Sequence, residues 1–303
     1  RNKGSSRIHN NGGNGSMAKA KIELRNVNFI YQPTTPLAHQ ALRNINLKIA
    51  DGAFTVLVGQ TGSGKSTLVN LIDALTLPTS GQVVVNGRLI NNQTSKREQE
   101  LFRQKIGFVF QFPERQLFAQ TVRDDLAFGP QNLGWSQKKI NKSIMKALET
   151  VQLSPTILKQ SPFSLSGGQK RRVAIAGVLA MNPEVLILDE PAVGLDSLAV
   201  QRLLNIIKEL NQRGVTIIMI THYLEMVTSL VTQIVALHDG QITFDGSPQE
   251  FFSSQQLLKK SNLLAPKSIQ ISREIGLSGL PLSLDELSAN LIERLKNGGI
   301  ANG

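Results

Sequence analysis

The sequence predicts an α/β protein with an added antiparallel part. Hairpin signals come early in the chain, where Asn86–Gly87 suits a type I′ turn because both central residues of that turn take positive φ. Strand-like and helical patterns alternate later in the chain. A glycine-rich segment joins the apolar run Phe54–Val58 to the helix-like stretch Thr67–Leu75, as a strand–loop–helix unit requires.

Eight apolar runs have the length and composition of β-strands. None approaches the roughly eighteen residues that a membrane-spanning helix needs, so no transmembrane segment is predicted. The predicted strands are Ile22–Phe29, Ala41–Ile49, Phe54–Val58, Gln82–Val85, Ile106–Phe110, Val185–Leu188, Val215–Ile220 and Ile234–Leu237.

Changes in composition divide the chain into three segments. Residues 1–16, rich in Gly, Asn and Ser, have the character of a disordered expression tag. Residues 17–246 form the predicted main domain, with a mostly polar helical subdomain at about 94–165. Residues 247–303 form a small C-terminal helical domain, in which capping boxes at Ser247 and Ser283 each open a helix.

The chain of 303 residues has a net charge of +11, with 33 basic and 22 acidic residues. This excess favours an anionic partner, which could be a nucleotide, a nucleic acid or an anionic membrane surface. The predicted tag carries Arg1, Lys3 and Arg7 and therefore part of the excess. The absence of cysteine excludes disulfides, thiolate metal sites and a cysteine nucleophile.

The glycine-rich segment predicts a P-loop. Its glycines let backbone N–H groups point at phosphate oxygens, and the N-terminus of the following helix adds partial positive charge. Lys65 is placed to reach the β- and γ-phosphates of a nucleotide, and Ser66 to ligate Mg²⁺. The predicted nucleotide-binding residues here are Gly59, Gln60, Thr61, Gly62, Ser63, Gly64, Lys65, Ser66 and Thr67.

Two adjacent acids follow the predicted strand Val185–Leu188. If this strand lies beside the P-loop strand, Asp189 reaches the Mg²⁺ shell and Glu190 faces the γ-phosphate, where it orients or deprotonates water. Two acids after a strand are more often solvated loop residues. The presence of the P-loop is what favours the catalytic interpretation.

A second anion site is predicted at Leu165–Gln169, which reads Leu-Ser-Gly-Gly-Gln and precedes a helix predicted over Lys170–Met181. A serine hydroxyl, two glycines and a helix N-terminus suit a phosphate. Because the P-loop already has its own lysine, two such elements indicate that two chains share each nucleotide. The predicted nucleotide-binding residues are Ser166, Gly167, Gly168 and Gln169.

Together these motifs resemble those of the ATP-binding subunits of ABC transporters. The resemblance covers about Ile22–Pro248 and implies a P-loop NTPase of the ABC type, with a RecA-like core, an antiparallel β subdomain and a helical subdomain. It implies ATP and Mg²⁺ as ligands. It also implies a head-to-tail dimer that holds ATP between the P-loop of one subunit and Ser166–Gln169 of the other.

The resemblance implies roles for single residues. Tyr31 is similar to the aromatic residue that stacks on adenine. Asp196 lies in a segment that resembles the D-loop, which couples the two sites of the dimer. The implied catalytic residues are Glu190, His222, Gln111 and Lys65, of which His222 resembles the switch histidine, and the implied metal ligands are Ser66, Gln111 and Asp189.

Three features resemble the ATPases of energy-coupling factor (ECF) transporters, especially the second of their two types. They are the loop Gln111–Phe118, Gly177 where many ABC subunits have arginine, and the extension beyond Ser247, which resembles a dimerisation domain. This resemblance implies a heterodimer of two ATPases on the cytoplasmic face of a bacterial membrane. A membrane T component, bound to S components for vitamins or other micronutrients, lies above it, and Glu114 is predicted to pair with an arginine of that T component.

Other functions remain open at this point. A conventional ABC transporter ATPase with a dedicated permease shares every motif. A cytosolic ABC ATPase acting on nucleic acid suits the basic charge but not a single cassette, so no nucleic acid is expected. A non-hydrolysing regulatory subunit conflicts with Glu190 and His222. The predicted helix Leu284–Leu295 has apolar residues at helical spacing that suit either a partner or the chain's own core: Leu284, Leu287, Leu291 and Ile292.

Overall fold

The computed structural model describes residues 20–277 and 279–298. The predicted tag, residues 1–16, lies outside the described residues. Ten strands form two sheets in the described part of the chain. In chain order they are β1 (Ala20–Tyr31), β2 (His39–Ala50), β3 (Phe54–Val58), β4 (Ser80–Val85), β5 (Arg88–Ile90), β6 (Ile106–Val109), β7 (Val185–Asp189), β8 (Thr216–Ile220), β9 (Gln233–His238) and β10 (Gln241–Gly246).

Eleven α-helices are described beside these strands. They are α1 (Lys65–Ile72), α2 (Lys96–Arg103), α3 (Val122–Asn132), α4 (Gln137–Thr150), α5 (Gly167–Leu179), α6 (Ser197–Gln212), α7 (Leu224–Val227), α8 (Pro248–Ser253), α9 (Gln255–Ser261), α10 (Lys267–Glu274) and α11 (Leu284–Gly298). Short 3-10 turns lie at Pro113–Gln116, Pro155–Lys159 and Pro162–Ser164. The predicted fold class, α/β with an antiparallel part and a helical subdomain, is confirmed.

The smaller sheet is antiparallel and has the strand order β2-β1-β4-β5. Its last hairpin turns at Asn86 and Gly87, whose φ angles are both positive, at 53° and 74°. This agrees with the type I′ turn predicted from the pair. Strand β5 was not predicted, because three residues of which two are exposed carry no alternating apolar pattern.

The larger sheet has the order β10-β9-β3-β8-β7-β6 and is parallel except for the edge strand β10. One expectation is corrected here, since β8 lies between the P-loop strand β3 and the acid-bearing strand β7. The acids nevertheless reach the P-loop, because the carboxyl ends of parallel strands lie at one edge of the sheet. Strand β10 was also missed. Its residues alternate between exposed and half-buried, as is usual at an edge.

Two hydrophobic cores lie on opposite faces of the larger sheet. In β3, Phe54, Val56 and Val58 enter one core, and Leu57 enters the other. The side chains alternate because successive residues of a strand point to opposite faces. A strand buried on both faces is the rigid base from which the P-loop starts.

The helical subdomain packs on the face of the larger sheet that carries Phe54, Val56 and Val58. Helix α5 contacts both α3 and α4, and its buried Val173 and Ala176 belong to the same core as Phe54. Helix α5 begins at Gly167 rather than at the predicted Lys170, because a cap at Ser166 starts it earlier. Residues Ser166–Gln169, here called the signature residues, therefore form the cap and first turn of a helix that is anchored in the main core.

The C-terminal extension shares that core. Phe251 and Phe252 of α8 are fully buried and belong to the same cluster as Phe54. The predicted capping box at Ser247 is present, with reciprocal bonds to Glu250. The extension is therefore fastened to the main domain by apolar contacts as well as by the chain.

The second predicted capping box is only half formed. The hydroxyl of Ser283 accepts a hydrogen bond from the backbone N–H of Glu286 at 3.1 Å. The Glu286 carboxylate, however, accepts from the backbone N–H of Leu282 at 2.7 Å rather than from that of Ser283. On α11, Leu287 is buried while Leu284 and Ile292 are 57% and 52% exposed. Part of this helix therefore packs on the chain's own core, and a dimerisation role for the rest stays a prediction.

Within the described residues, no helix has the length and apolar character to cross a membrane.

Candidate nucleotide-binding site

The P-loop runs from the end of β3 to the start of α1, and two of its residues must be glycine. Gly59 has φ of 139°, and a Cβ there would lie 2.2 Å from the carbonyl oxygen of Leu237. Gly64 has φ of 103°, and its Cβ would lie 2.8 Å from the carbonyl oxygen of Ala41. Larger residues are excluded at both positions by strain and by contact. The loop is thus pressed against the strand ends, with its backbone close to any bound phosphate.

Lys65 lies inside the curve of this loop. Its ammonium group donates to the carbonyl oxygens of Gly59 at 2.7 Å and Gln60 at 2.8 Å. Burial lowers the pKa of Lys65, while Glu190 and Asp189 oppose that shift. The lysine and both acids therefore belong to one electrostatic site, although β8 separates their strands.

Tyr31 is held beside the P-loop helix. Its hydroxyl lies 3.0 Å from Oγ1 of Thr67, and its ring contacts the edge of Phe29 at a centroid distance of 4.7 Å. The side chain remains 41% exposed. This arrangement leaves aromatic surface free at the margin of the loop, which fits the predicted role of stacking on a base.

Glu190 has a strained backbone and one buried carboxylate oxygen that accepts no hydrogen bond among the described residues. Its φ is 47°, unusual for a residue other than glycine, and its N–H donates to the carbonyl oxygen of Ile220 at 3.0 Å. Oε1 is buried and accepts no hydrogen bond among the described residues, although Nε2 of His222 lies 3.1 Å away. Burial raises the pKa of Glu190, and the nearby His222 opposes this. A buried carboxylate oxygen without a donor suits a group that receives a proton from water.

Asp189 and Gln111 leave the same edge of the sheet. Burial raises the pKa of Asp189, and Lys65 opposes this shift. Strands β6 and β7 run parallel with Val109 beside Leu188, which brings Gln111 to the level of Glu190. The structure thus brings together the P-loop, the loop Gln111–Phe118, here called the Q-loop, and the two acidic residues.

These residues fit the predicted ligands. The N-terminal turn of α1 exposes Ser66, whose hydroxyl together with Asp189 and Gln111 could hold Mg²⁺ beside the phosphates. Within the described residues, no group of three or more His, Asp or Glu side chains could hold a metal ion alone. An ion held by two or three protein oxygens and completed by phosphate oxygens is consistent with that set.

The signature residues form a reciprocal helix cap. The Ser166 hydroxyl accepts from the N–H of Gln169 at 3.3 Å, and the Gln169 side-chain oxygen accepts from the N–H of Ser166 at 3.0 Å. A Cβ on Gly167 or Gly168 would meet nothing within 4 Å. The first turn of α5 therefore offers an open surface with positive helix-dipole potential.

Asp196 also acts as a cap in this chain. Its carboxylate accepts from the N–H of Ala199 at 2.8 Å and so begins α6. None of the described hydrogen bonds of Asp196, Ser166 or Gln169 reaches the P-loop. Their predicted nucleotide or dimer contacts would accordingly be made with another subunit.

Sequence reasoning missed one buried charge. The side chain of Arg171 is only 5% exposed, and its guanidinium binds the carboxylate of Glu114, with Nε 2.9 Å from Oε2. Glu114 was predicted to pair with an arginine of a membrane partner, and it already has an arginine partner in its own chain. No local pattern could reveal this pair, because 57 residues separate the two side chains.

A glycine-rich loop between a strand and a helix, with paired acids at the same edge of the larger sheet, defines a P-loop nucleoside triphosphatase. Comparison with known proteins gives the family. The ABC transporter family model matches residues 42–193. The chain is 43% identical over 286 residues to "Energy-coupling factor transporter ATP-binding protein EcfA2" of Enterococcus faecalis, covering 92% of this chain and 99% of that protein. The protein of the same name from Streptococcus thermophilus is 42% identical, over 89% of this chain and 99% of its own length.

Solved structures agree with these relatives. CbiO1 of Clostridium perfringens, described as part of the ABC transporter complex CbiONQ, superposes with a TM-score of 0.71 at 32% identity, covering 85% of this chain and 99% of that one. The ATP-binding cassette MJ0796, in a dimeric post-hydrolysis state with ADP and phosphate, gives 0.66 at 31% identity, over 75% and 98%. The chain belongs to the ABC transporter family and, within it, to the energy-coupling factor ATP-binding proteins.

Proposed function

We propose that the protein binds and hydrolyses ATP as a subunit of an ECF-type importer. Two observations taken together support this proposal. The chain has every element of an ATP site, from the P-loop to Glu190 and His222. It also aligns almost end to end with ECF ATP-binding proteins, including the extension beyond Ser247.

Hydrolysis follows from the geometry of the site. Lys65 and the P-loop N–H groups bind the phosphates, and Mg²⁺ beside Ser66 and Asp189 would neutralise charge that develops on them. Glu190 takes the proton of the attacking water, helped by a pKa that burial raises. His222, 3.1 Å from Glu190, orients that carboxylate and is placed to contact the γ-phosphate.

A second ATPase subunit completes each site. The open first turn of α5, with Gly167 and Gly168, presents N–H groups to the ATP of the partner, while the P-loop binds its own ATP. Phosphate negative charge joins the two positive surfaces, and its loss after hydrolysis lets them part. We infer that the partner is a second, different ECF ATPase and that the C-terminal extension contributes to the pair.

A groove beside the Q-loop is the proposed docking place of a membrane component. It has a volume of about 410 Å³ and lies between the main sheet and the helical subdomain. Gly177 lines it, and an arginine there would fill part of the space. Other lining residues are Asp73, Glu100, Arg103, Gln116, Leu117, Phe118, Asp125 and Phe128. Docking at this groove would hold the protein peripherally on the cytoplasmic face of the membrane.

In this proposal the T component carries force between the ATPases and the S components, which choose the vitamin or other micronutrient. The loop Gln111–Phe118 is the proposed contact, and Glu114, a quarter exposed beside Arg171, lies within it. A cationic side chain of the T component would have to share the carboxylate with Arg171 or displace that guanidinium. No nucleic acid takes part.

Co-purification tests the proposal. Membranes containing the tagged protein are solubilised, and the proteins retained with it are identified by mass spectrometry. Recovery of a second ABC ATPase, one T-like membrane protein and several small membrane proteins in varying amounts is the expected result. Recovery with a single permease alone would refute the ECF assignment.

The conventional transporter ATPase is the second candidate function. It shares every catalytic motif with this chain, from the P-loop to His222. A single dedicated permease in the same co-purification would establish it. Salt-sensitive retention of nucleic acid by the purified protein would instead indicate a cytosolic ABC ATPase.

A further inference from the structure

We propose that Arg171 is a positioning residue that links the Q-loop to the segment between Glu190 and Asp196. Through this link, a displacement of the Q-loop moves the catalytic glutamate and the D-loop of the same chain. This proposal rests on the proposed function in one respect only, which is that a docked membrane component is what displaces the Q-loop. The link itself is built from contacts within this chain.

The first half of the link is a charge pair with the Q-loop. Nε of Arg171 donates to Oε2 of Glu114 at 2.9 Å, and Nη2 donates to Oε1 at 3.4 Å. Burying a guanidinium is costly unless it is paired and hydrogen-bonded. Here two parallel bonds to one carboxylate fix its plane as well as its position.

The second half of the link reaches the segment that follows the catalytic glutamate. Nη1 of Arg171 donates to the carbonyl oxygen of Val193 at 2.8 Å and lies 3.5 Å from that of Pro191. Pro191 is the residue directly after Glu190, and Asp196 follows three residues beyond Val193. One planar group therefore ties these carbonyls to Glu114, and because the guanidinium is rigid, neither side moves independently of the other.

Phe112 adds a second contact between the same two segments. It has φ of 57°, in the left-handed region, which costs free energy for a residue other than glycine. Its ring lies 4.7 Å from the guanidinium carbon of Arg115 and 5.8 Å from that of Arg171. A Cβ on Gly194, with φ of 77°, would lie 3.5 Å from the ring. The strained phenylalanine is thus held between a cation of α5 and the D-loop.

The position of Glu114 connects this link to the docking groove. Gln116, the last residue of its turn, and the two residues that follow it line the groove, and Glu114 remains a quarter exposed. A cationic group that docks there competes with Arg171 for the carboxylate. Arg171 would then shift and carry Pro191 and Val193 with it, which changes the placement of Glu190.

Arg172 is a matched control on the same helix. Its Nη1 donates to the carbonyl oxygens of Gln152 at 3.0 Å and Val151 at 3.4 Å, both in the helical subdomain, and its Nε donates to the carbonyl oxygen of Gly168, four residues earlier in α5, at 3.4 Å. The carbonyls of Gln152 and Val151 lie together, so an ammonium group can serve them, and the contact with Gly168 lies within the helix itself. The acceptors of Arg171 lie on two separate segments, and a lysine reaches only one of them at a time.

The test measures ATP hydrolysis by the assembled complex carrying Arg171→Lys, Glu114→Gln, both changes, or Arg172→Lys. We expect Arg171→Lys to lower kcat about tenfold to a hundredfold with KM for ATP unchanged within about twofold, since the P-loop is untouched. Glu114→Gln should lower kcat similarly, and the double variant no further, because both changes break one link. Arg172→Lys should keep the wild-type kcat.

Three results would overturn the inference. They are a wild-type kcat for Arg171→Lys, effects of the two changes that multiply in the double variant, or a loss explained wholly by a lower melting temperature and fewer nucleotide-binding sites. The membrane protein retained by each preparation is measured as well. If the wild type retains none, the proposed function fails, and the same four variants are compared on the ATPase activity of the chain alone.

Discussion

Nε2 of His222 lies 3.1 Å from Oε1 of Glu190, which joins the loop after β8 to the end of β7. That oxygen is buried and accepts no hydrogen bond among the described residues. Glu190 also has a left-handed backbone, fastened to Ile220 at the end of β8. The strained backbone and the buried oxygen without a donor support the proposed role of Glu190 in activating water.

Replacement of the catalytic glutamate should trap the closed dimer. Glu190→Gln keeps the shape of the side chain but cannot take a proton, so hydrolysis should fall about 10² to 10⁴-fold while ATP still binds. Light scattering with ATP and Mg²⁺ should then show a persistent ATPase dimer. The control is Glu184→Gln, which removes an acid paired with Lys21 and Lys105 just before β7. Wild-type turnover by Glu190→Gln would contradict the assigned role.

A negative charge placed on the signature residues should lower ATP hydrolysis without changing the stability of the fold. A side chain on Gly168 meets nothing within 4 Å, and an acid in the first turn of a helix suits its dipole. Gly168→Asp should therefore keep the wild-type melting temperature, but repulsion of the partner's ATP phosphates should lower hydrolysis at least about tenfold. ATP binding measured on the isolated chain should not change. Gly168→Ala is the uncharged control, and equal activity of the two variants would argue against a phosphate contact.

Loss of the tyrosine ring should weaken ATP binding. Tyr31→Ala removes a surface for base stacking, worth about 1–3 kcal/mol per base, so the Kd for ATP should rise about tenfold. Tyr31→Phe keeps the ring and loses only the hydroxyl contact with Thr67, and its Kd should stay within about threefold of wild type. Titration with a fluorescent ATP analogue measures both. If Tyr31→Phe is as weak as Tyr31→Ala, the hydroxyl rather than the ring holds the nucleotide.

Asp73, directly after α1, should make the protein less stable as the pH rises from 4 to 7. Burial raises the pKa of Asp73 from 3.8 to about 7, although the nearby Arg103 opposes the shift. A carboxyl with a raised pKa gives its full stabilisation below its unfolded pKa and loses it as pH rises to the folded pKa. The loss between pH 4 and pH 7 amounts to roughly 4 kcal/mol.

The variant Asp73→Asn should therefore gain stability over the wild type as pH rises from 4 to 7, with no further gain above that. Urea unfolding at several pH values measures the difference. Asp51→Asn, at an exposed carboxylate, is the control. Parallel pH profiles for wild type and Asp73→Asn would show that this carboxyl does not titrate as stated.

Sequence patterns predicted most of the framework. The run Phe54–Val58 is the strand β3 with the same bounds, because a strand buried on both faces must be apolar throughout. The turn at Asn86–Gly87 follows from two residues that tolerate positive φ. Sequence patterns missed two edge strands, β5 (Arg88–Ile90) and β10. Strands that are largely exposed lack the run of apolar residues from which a strand is predicted.

Part of the candidate site could also be predicted from local sequence patterns. Lys65, Asp189 and Glu190 could be named because a phosphate loop and paired acids after a strand are local signals. The expectation that β7 adjoins β3 was wrong, since local sequence does not specify strand order. The predicted capping box at Ser283 was wrong in one of its two hydrogen bonds, because the Glu286 carboxylate accepts from the N–H of Leu282 rather than from that of Ser283.

The sequence by itself determined which residues bind phosphate, because glycine conformation, helix N-termini and carboxylate chemistry operate over a few neighbouring residues. Only the tertiary structure decided that Glu114 pairs with Arg171 and that this arginine also binds the carbonyl of Val193. Those partners come from three separate segments, and their meeting depends on how α5 packs on the main core. Contacts of that kind depend on the whole arrangement of chain segments, which no local pattern encodes.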